Sequence, residues 1–242
     1  MVRSSNGRSD EGAAPPAGRR RIRQRADRRR VDILRAAAGV FRARGFAAAG
    51  MREIALAADL SPANLYHYFR GKDEILFFCQ DRSLDRLLGA LAAARRSRAP
   101  MSARLRDLAQ AHVRCLLDAF EGSAAHLEVS ALPPPLRRRI VAKRDRYERG
   151  VRALVAAGMK QGDLRSGDAT LATRALLGAL NWTAHWFRPD GPRTGDEVAA
   201  IVADYAIGGL CHARPRAHHA DRQRRARRRL VRAVQDAPRG AA

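Results

Sequence analysis

The sequence predicts an all-α protein of about nine helices between two basic arms. Three observations predict it. Hydrophobic residues make up 46% of the chain and aromatics only 5%, with alanine the commonest residue, and interiors of that kind are usually helical. Apolar residues recur at steps of three and four, which is one face of a helix. No segment alternates with period two for long enough to make a strand, so a sandwich or barrel is excluded.

Residues 1–27 are polar, Arg-rich and Gly/Pro-dotted, the composition of a disordered arm. From Asp27 the pattern turns helical, with Val31, Leu34, Ala38 and Phe41 on one face and Gly45 placed as a left-handed C-terminal cap. Met51, Ile54, Ala55 and Ala58 form a short second stripe. Asp59-Leu60-Ser61 reads as a turn, and Ser61-Pro62 as an N-cap followed by proline at the first helical position. Leu65, Tyr68 and Phe69 give the third helix its apolar side, and that helix is expected to stop at Gly71.

A longer helix restarts near Asp73 and runs to about Ala94. Pro100 breaks the chain, and Ser102 is placed to cap a helix carrying Leu105, Leu108, Val113, Leu116 and Phe120. Gly122-Ser123 opens a short helix that must end before the three prolines at 133–135. Leu136, Ile140, Tyr147, Val151 and Leu154 mark the next helix, closed by the turn at Gln161-Gly162-Asp163. Leu171–Phe187 is apolar on most sides and reads as a buried or interface helix. After a Pro/Gly loop, Val198, Ile201, Val202, Tyr205 and Leu210 mark the last packed helix.

The two short helices joined by a three-residue turn have the layout of a helix-turn-helix, whose last helix enters the DNA major groove. That face needs small residues for close approach and polar residues that reach bases and phosphates. Pro62, Ala63, Asn64, Tyr66 and His67 supply the mixture, while Leu65 and Phe69 point back into a core.

The run Phe46–Phe69, with Met51-Arg52-Glu53-Ile54-Ala55, Leu60-Ser61-Pro62, Leu65-Tyr66-His67-Tyr68-Phe69 and then Gly71-Lys72-Asp73-Glu74, resembles the DNA-binding domain of the TetR family of one-component regulators. The resemblance implies a DNA-binding domain over 28–72, a helical ligand-binding and dimerisation domain over 73–210, and an Arg-rich tail over 211–242. It gives Arg52 a base contact and places Ser61, Pro62, Ala63 and Asn64 at the start of the recognition helix. Asn64 either reads adenine or bonds its own helix end. The resemblance gives Tyr66, His67, Tyr68 and Lys72 phosphate contacts, with a core role for Tyr68 as the alternative. Two positions depart from the family pattern. Ala49 and Gly50 stand where Thr or Ser is usual, and Asp59 replaces the turn glycine. Asp tolerates a left-handed backbone better than most residues, so the turn should survive.

The segment Asn181–Pro192 is similar to one in regulators of fatty-acid and sterol catabolism within that family, which implies an acyl-CoA thioester as inducer. Such a ligand needs apolar lining and cations for its phosphates. His126, Arg144, Trp182, Trp186 and Arg188 are the candidate ligand residues. The alternative for Trp182 and Trp186 is a place in the core or a dimer interface. His112 and His185 read as core or pocket-lining rather than metal-binding. No cofactor is implied.

The remaining signals bear on partners and compartment. Residues 1–30 carry ten arginines against three acids and residues 211–242 ten against two, so each arm contributes almost as much to the net charge of +23 as the whole body. Such arms favour polyanions through counterion release. The opening residues lack the apolar run of a signal peptide, Arg174 and His185 interrupt the longest apolar stretch, and Cys79, Cys115 and Cys211 have no metal or disulfide spacing. These features lead us to expect a cytoplasmic protein outside the membrane. No nucleophile with an attached base or phosphate-binding glycine loop occurs, so an enzyme is not expected. The expected activity is that of a homodimeric, ligand-released repressor on a double-stranded, pseudo-palindromic operator, with an architectural DNA-coating protein or an acyl-thioester enzyme as the alternatives.

Overall fold

The computed structural model describes residues 17–118 and 129–212. Eight α-helices and one 3-10 turn are present among them, and no strand. The helices are α1 (Ala17–Ala48), α2 (Met51–Ala57), α3 (Pro62–Tyr68), α4 (Lys72–Arg96), α5 (Met101–Leu117), α6 (Pro134–Gln161), α7 (Ala169–Trp186) and α8 (Gly195–Gly208). The 3-10 turn spans Val129–Ala131.

The first three helices and the start of α4 close a small core. Ile33, Leu34, Ala37 and Phe41 of α1 meet Ile54 and Ala55 of α2, Leu65 and Phe69 at α3, and Ile75 and Leu76 of α4, all buried. The buried face of α1 is thus turned slightly from the one expected, with Val31 and Ala38 at its margin. The helix also begins at Ala17, so residues 17–27 are helical where a disordered arm was expected. Arginine is a good helix former, and no proline follows Pro16 to stop propagation backward from Asp27. Gly45 takes φ 74° and ψ 159°, a region open only to glycine, so it kinks the helical path where a left-handed helical cap was expected. The third helix ends at Tyr68, before Gly71, because Phe69 turns extended to bury its ring.

In the larger domain α5 is central. It packs against α4, α7 and α8, while α6 lies across α4 and α7. Ser102 does not cap α5. The Asp163 carboxylate, from the turn after α6, accepts the Met101 N–H at 3.0 Å instead. That brings the α6 end close to α5, and Gly158 permits it: a Cβ there would lie 2.7 Å from Met101 Cγ and 2.8 Å from Leu164 Cδ1. Asp168 caps α7 by accepting the Thr170 and Leu171 N–H groups, and Thr194 with Glu197 forms a capping box on α8. Phe120, His126 and the short helix expected from Gly122 lie outside the described residues up to Val129, as does the tail beyond His212.

One face of α7 and α8 lacks cover. Leu171, Trp182 and Trp186 on α7 are exposed, and Ile201 and Tyr205 on α8 likewise, Tyr205 at 80%. Ile201 and Tyr205 were expected inside the packed helix. The core takes Val198, Ala199, Ala203 and Ile207 instead, which leaves the opposite stripe outside.

Candidate DNA-binding face and effector cavity

The head presents its third helix by a set of local ties. Ser61 Oγ accepts the Asn64 N–H at 3.2 Å and fixes the start of α3. The turn before it is held because Asp59 adopts φ 52°, as its residue type allows, and the Leu60 N–H reaches the Ala55 carbonyl at 2.9 Å. Arg29 of α1 donates to the carbonyls of Ala58 and Asp59 from outside, at 3.3 Å each. The hydroxyl missing before α2 leaves that helix without a side-chain cap, and only the reciprocal half of a capping box remains: the Glu53 carboxylate accepts the Gly50 N–H at 3.0 Å and pairs with Arg44 at 2.7 Å.

The consequence is a helix with two unlike sides. Leu65 is fully buried, whereas Pro62, Ala63, Asn64, Tyr66 and His67 are exposed, as is Arg52 on α2. Because the Ser61 hydroxyl does the capping, the Asn64 amide stands in solvent rather than closing its own helix end. Tyr68 is half-buried against the core, in edge contact with His67 at 5.6 Å between ring centroids, which favours its core role.

Lys72 is placed differently from expectation. Its ammonium donates to the carbonyls of Phe46, Ala47 and Ala49 at 2.9, 2.7 and 3.3 Å, and lies 4.9 Å over the Phe46 ring. An ammonium has three N–H donors, and here all three tie the start of α4 to the end of α1. Lys72 thus serves as a clamp within the head. Lys72→Met should lower stability by about 1–3 kcal/mol, or about 2–6 °C in Tm. It should leave the salt dependence of DNA binding unchanged. A slope shallower by about one phosphate contact in a salt titration would restore the original role.

The larger domain encloses a cavity of about 480 Å³ between α4, α5, α6 and α7. Leu84, Leu87, Leu116 and Leu177 supply apolar wall. The polar groups come from three helices: His112 from α5, Arg144, Tyr147 and Glu148 from α6, Arg174, Asn181 and His185 from α7. His112 is the most enclosed of these. Its Nδ1 is 3.0 Å from the Tyr147 hydroxyl and its Nε2 is 3.0 Å from Asn181 Oδ1. Burial pulls its pKa down to about 4, against a smaller opposing pull from Asn181, so the ring is neutral near pH 7. Burial also pushes the Tyr147 phenol up and Arg144 down from their ordinary values.

Of the expected ligand residues, Arg144 lines the cavity, as does His185. Trp182, Trp186 and Arg188 are exposed and do not line it, because positions 182 and 186 fall on the outer face of α7. Trp182 reaches the cavity wall only by stacking on His185, 4.3 Å between centroids and 21° between planes. Tyr147, Glu148, Arg174 and Asn181 also line the cavity and were not among the candidate ligand residues. Among the described residues no group of three metal-ligating side chains forms, and no helix is long and apolar enough to cross a membrane.

An exposed helix-turn-helix on one domain and a walled cavity in a second, all-helical domain define a DNA-binding transcriptional regulator. Known proteins agree. Residues 33–77 match the bacterial regulatory proteins of the tetR family, and residues 98–210 match the tetracyclin repressor-like C-terminal domain. The chain belongs to the TetR family. It is 31% identical to the transcriptional activator FasR of Mycolicibacterium smegmatis, over 83% of this chain and 92% of FasR. It is 29% identical to the transcriptional repressor KstR2 of Rhodococcus jostii, over 75% of this chain and 91% of KstR2. Among solved structures it is similar to AibR in complex with isovaleryl coenzyme A and operator DNA. There the TM-score is 0.64 and the identity 26%, over 76% of this chain and 98% of AibR.

Proposed function

We propose that this regulator is a homodimeric cytoplasmic repressor that leaves its operator when a small hydrophobic effector, an acyl-CoA thioester, occupies the cavity. The observation that carries the DNA half is the outward Pro62–His67 side of α3 above a fully buried Leu65. Two such helices in a dimer would enter successive major-groove segments about 34–36 Å apart, which calls for a pseudo-palindromic site. The exposed stripe on α7 and α8 is the surface on which a four-helix interface would form. An effector can release DNA only through its different affinity for two head spacings. Repression is favoured by the likeness to KstR2, and a coenzyme A thioester by the likeness to AibR.

The test is fluorescence anisotropy of the dimer on its own promoter DNA against a panel of acyl-CoAs. Release by one acyl-CoA, recovered intact afterward, is the expected result. Turnover of the thioester would instead favour an enzyme. Operator and scrambled duplexes with equal affinity and equal salt slopes would favour an architectural DNA-coating role. Arg52→Ala should relax discrimination at one base pair by about 1–3 kcal/mol while leaving the other positions of the site unchanged.

A further inference from the structure

The cavity holds a relay that runs from the buried Tyr147 and His112 to the exposed Asn181, and its direction follows from the atoms that meet. Asn181 Oδ1 can only accept, so His112 Nε2, 3.0 Å away, carries the ring proton. The neutral ring then has a lone pair at Nδ1, and the Tyr147 hydroxyl 3.0 Å away must donate into it. The low pKa of His112 keeps this arrangement from reversing by protonation near pH 7. Tyr147 has thus committed its proton, and Asn181 has committed its oxygen. What Asn181 can still offer the cavity is its Nδ2 amide, two N–H donors turned away from His112 by the bond at Oδ1.

The other polar groups fit the same chemistry. Arg144 and Arg174 add cationic donors, and Glu148 is the one carboxylate among the lining residues. Arg174, Asn181 and His185 are exposed, so they stand at the mouth, while His112 forms the floor. A volume of about 480 Å³ holds an acyl chain or compact ring system but not the whole of coenzyme A. The nucleotide would remain outside, on the side of the mouth arginine.

We propose that Asn181, aimed by the Tyr147–His112 relay, reads the carbonyl oxygen of an acyl effector, and that this contact separates acyl compounds from alkyl ones of equal size. The proposal rests on the reading of the cavity as the effector site. His112 and Tyr147 are positioning residues, since they act through Asn181. A carbonyl oxygen occurs in both a thioester and a free acid, and the experiment separates these sources.

The test measures binding by calorimetry for butanoyl-, hexanoyl- and dodecanoyl-CoA, for the matching S-alkyl-CoA thioethers that lack the carbonyl oxygen, and for the free acids. Wild type should prefer thioester over thioether by about tenfold, the size of one well-placed hydrogen bond. Asn181→Ala should shrink that preference to within about twofold while thioether binding is retained, and it should lower the unliganded Tm by a few degrees because the buried His112 Nε2–H loses its acceptor. Asn181→Asp still accepts from His112 but offers no donor, so it should bind thioesters more weakly than Asn181→Ala. His112→Phe removes the aim, and it too should lose discrimination while retaining thioether binding. If the free acids bind better than the thioesters, the carbonyl reader stands but serves a carboxylate. Equal affinity of wild type for thioester and thioether overturns the proposal and leaves the acyl-CoA reading intact. So does a preference that survives Asn181→Ala. Failure of every acyl compound to bind overturns both.

Discussion

Ala63→Glu should abolish operator binding while leaving the fold as stable as before. Ala63 is exposed at the second position of α3, and its neighbours on that side are Pro62, Asn64, Tyr66 and His67. A carboxylate there faces the region where phosphates and base edges must come closest. Like charges brought together across an interface cost several kcal/mol, so a loss on the order of a hundredfold or more is expected. Folding should not suffer, because an acid in the first turn of a helix interacts favourably with the dipole and with free N–H groups. The two readouts together make the result specific: circular dichroism and Tm unchanged, anisotropy on the promoter duplex flat. Retained operator affinity in a well-folded variant would mean that α3 is not the reading helix.

The head was legible because turn chemistry is local. Ser61 before Pro62, Asp59 in a turn and Gly45 after an amphipathic stretch each act within a few residues, and each does in the structure what its type allows. The clamp made by Lys72 was not legible because its partners are the carbonyls of Phe46, Ala47 and Ala49, more than twenty residues away, and carbonyls have no sequence signature. Ser102 failed for the same reason: Asp163, distant in the chain, reaches the helix end first. The cavity shows the contrast most sharply. Arg174 stood out as a charge within an apolar run, but only the packing of α5, α6 and α7 shows that it, Asn181 and His185 face one space. Trp182 and Trp186 became candidates through the resemblance carried by Asn181–Pro192, and helical phase puts them on the other side of α7. The core-or-interface alternative raised for them therefore narrows to the exposed face that they share with Leu171 and, on α8, Tyr205.

That face supplies the second large effect. Tyr205→Arg should convert the protein to monomers at micromolar concentration and, through that, weaken operator binding by several orders of magnitude. At 80% exposed, the Tyr205 ring contributes little to the packing of its own protomer, so removing it should not disturb the fold. Arginine is a good helix former, and a cation in the last turn of α8 suits the helix dipole. Tm at low concentration should accordingly change little. In a symmetric dimer each copy carries the new guanidinium, so the association must place two charges against the apolar stripe of Leu171, Trp182 and Ile201. Each unpaired buried charge costs several kcal/mol, and the two costs add in a single dissociation constant. A monomer offers one recognition helix to one half-site and loses the gain of binding two sites on one duplex. Sedimentation velocity reads the first consequence and anisotropy the second. A Tyr205→Arg protein that sediments as a dimer would move the interface away from α7 and α8.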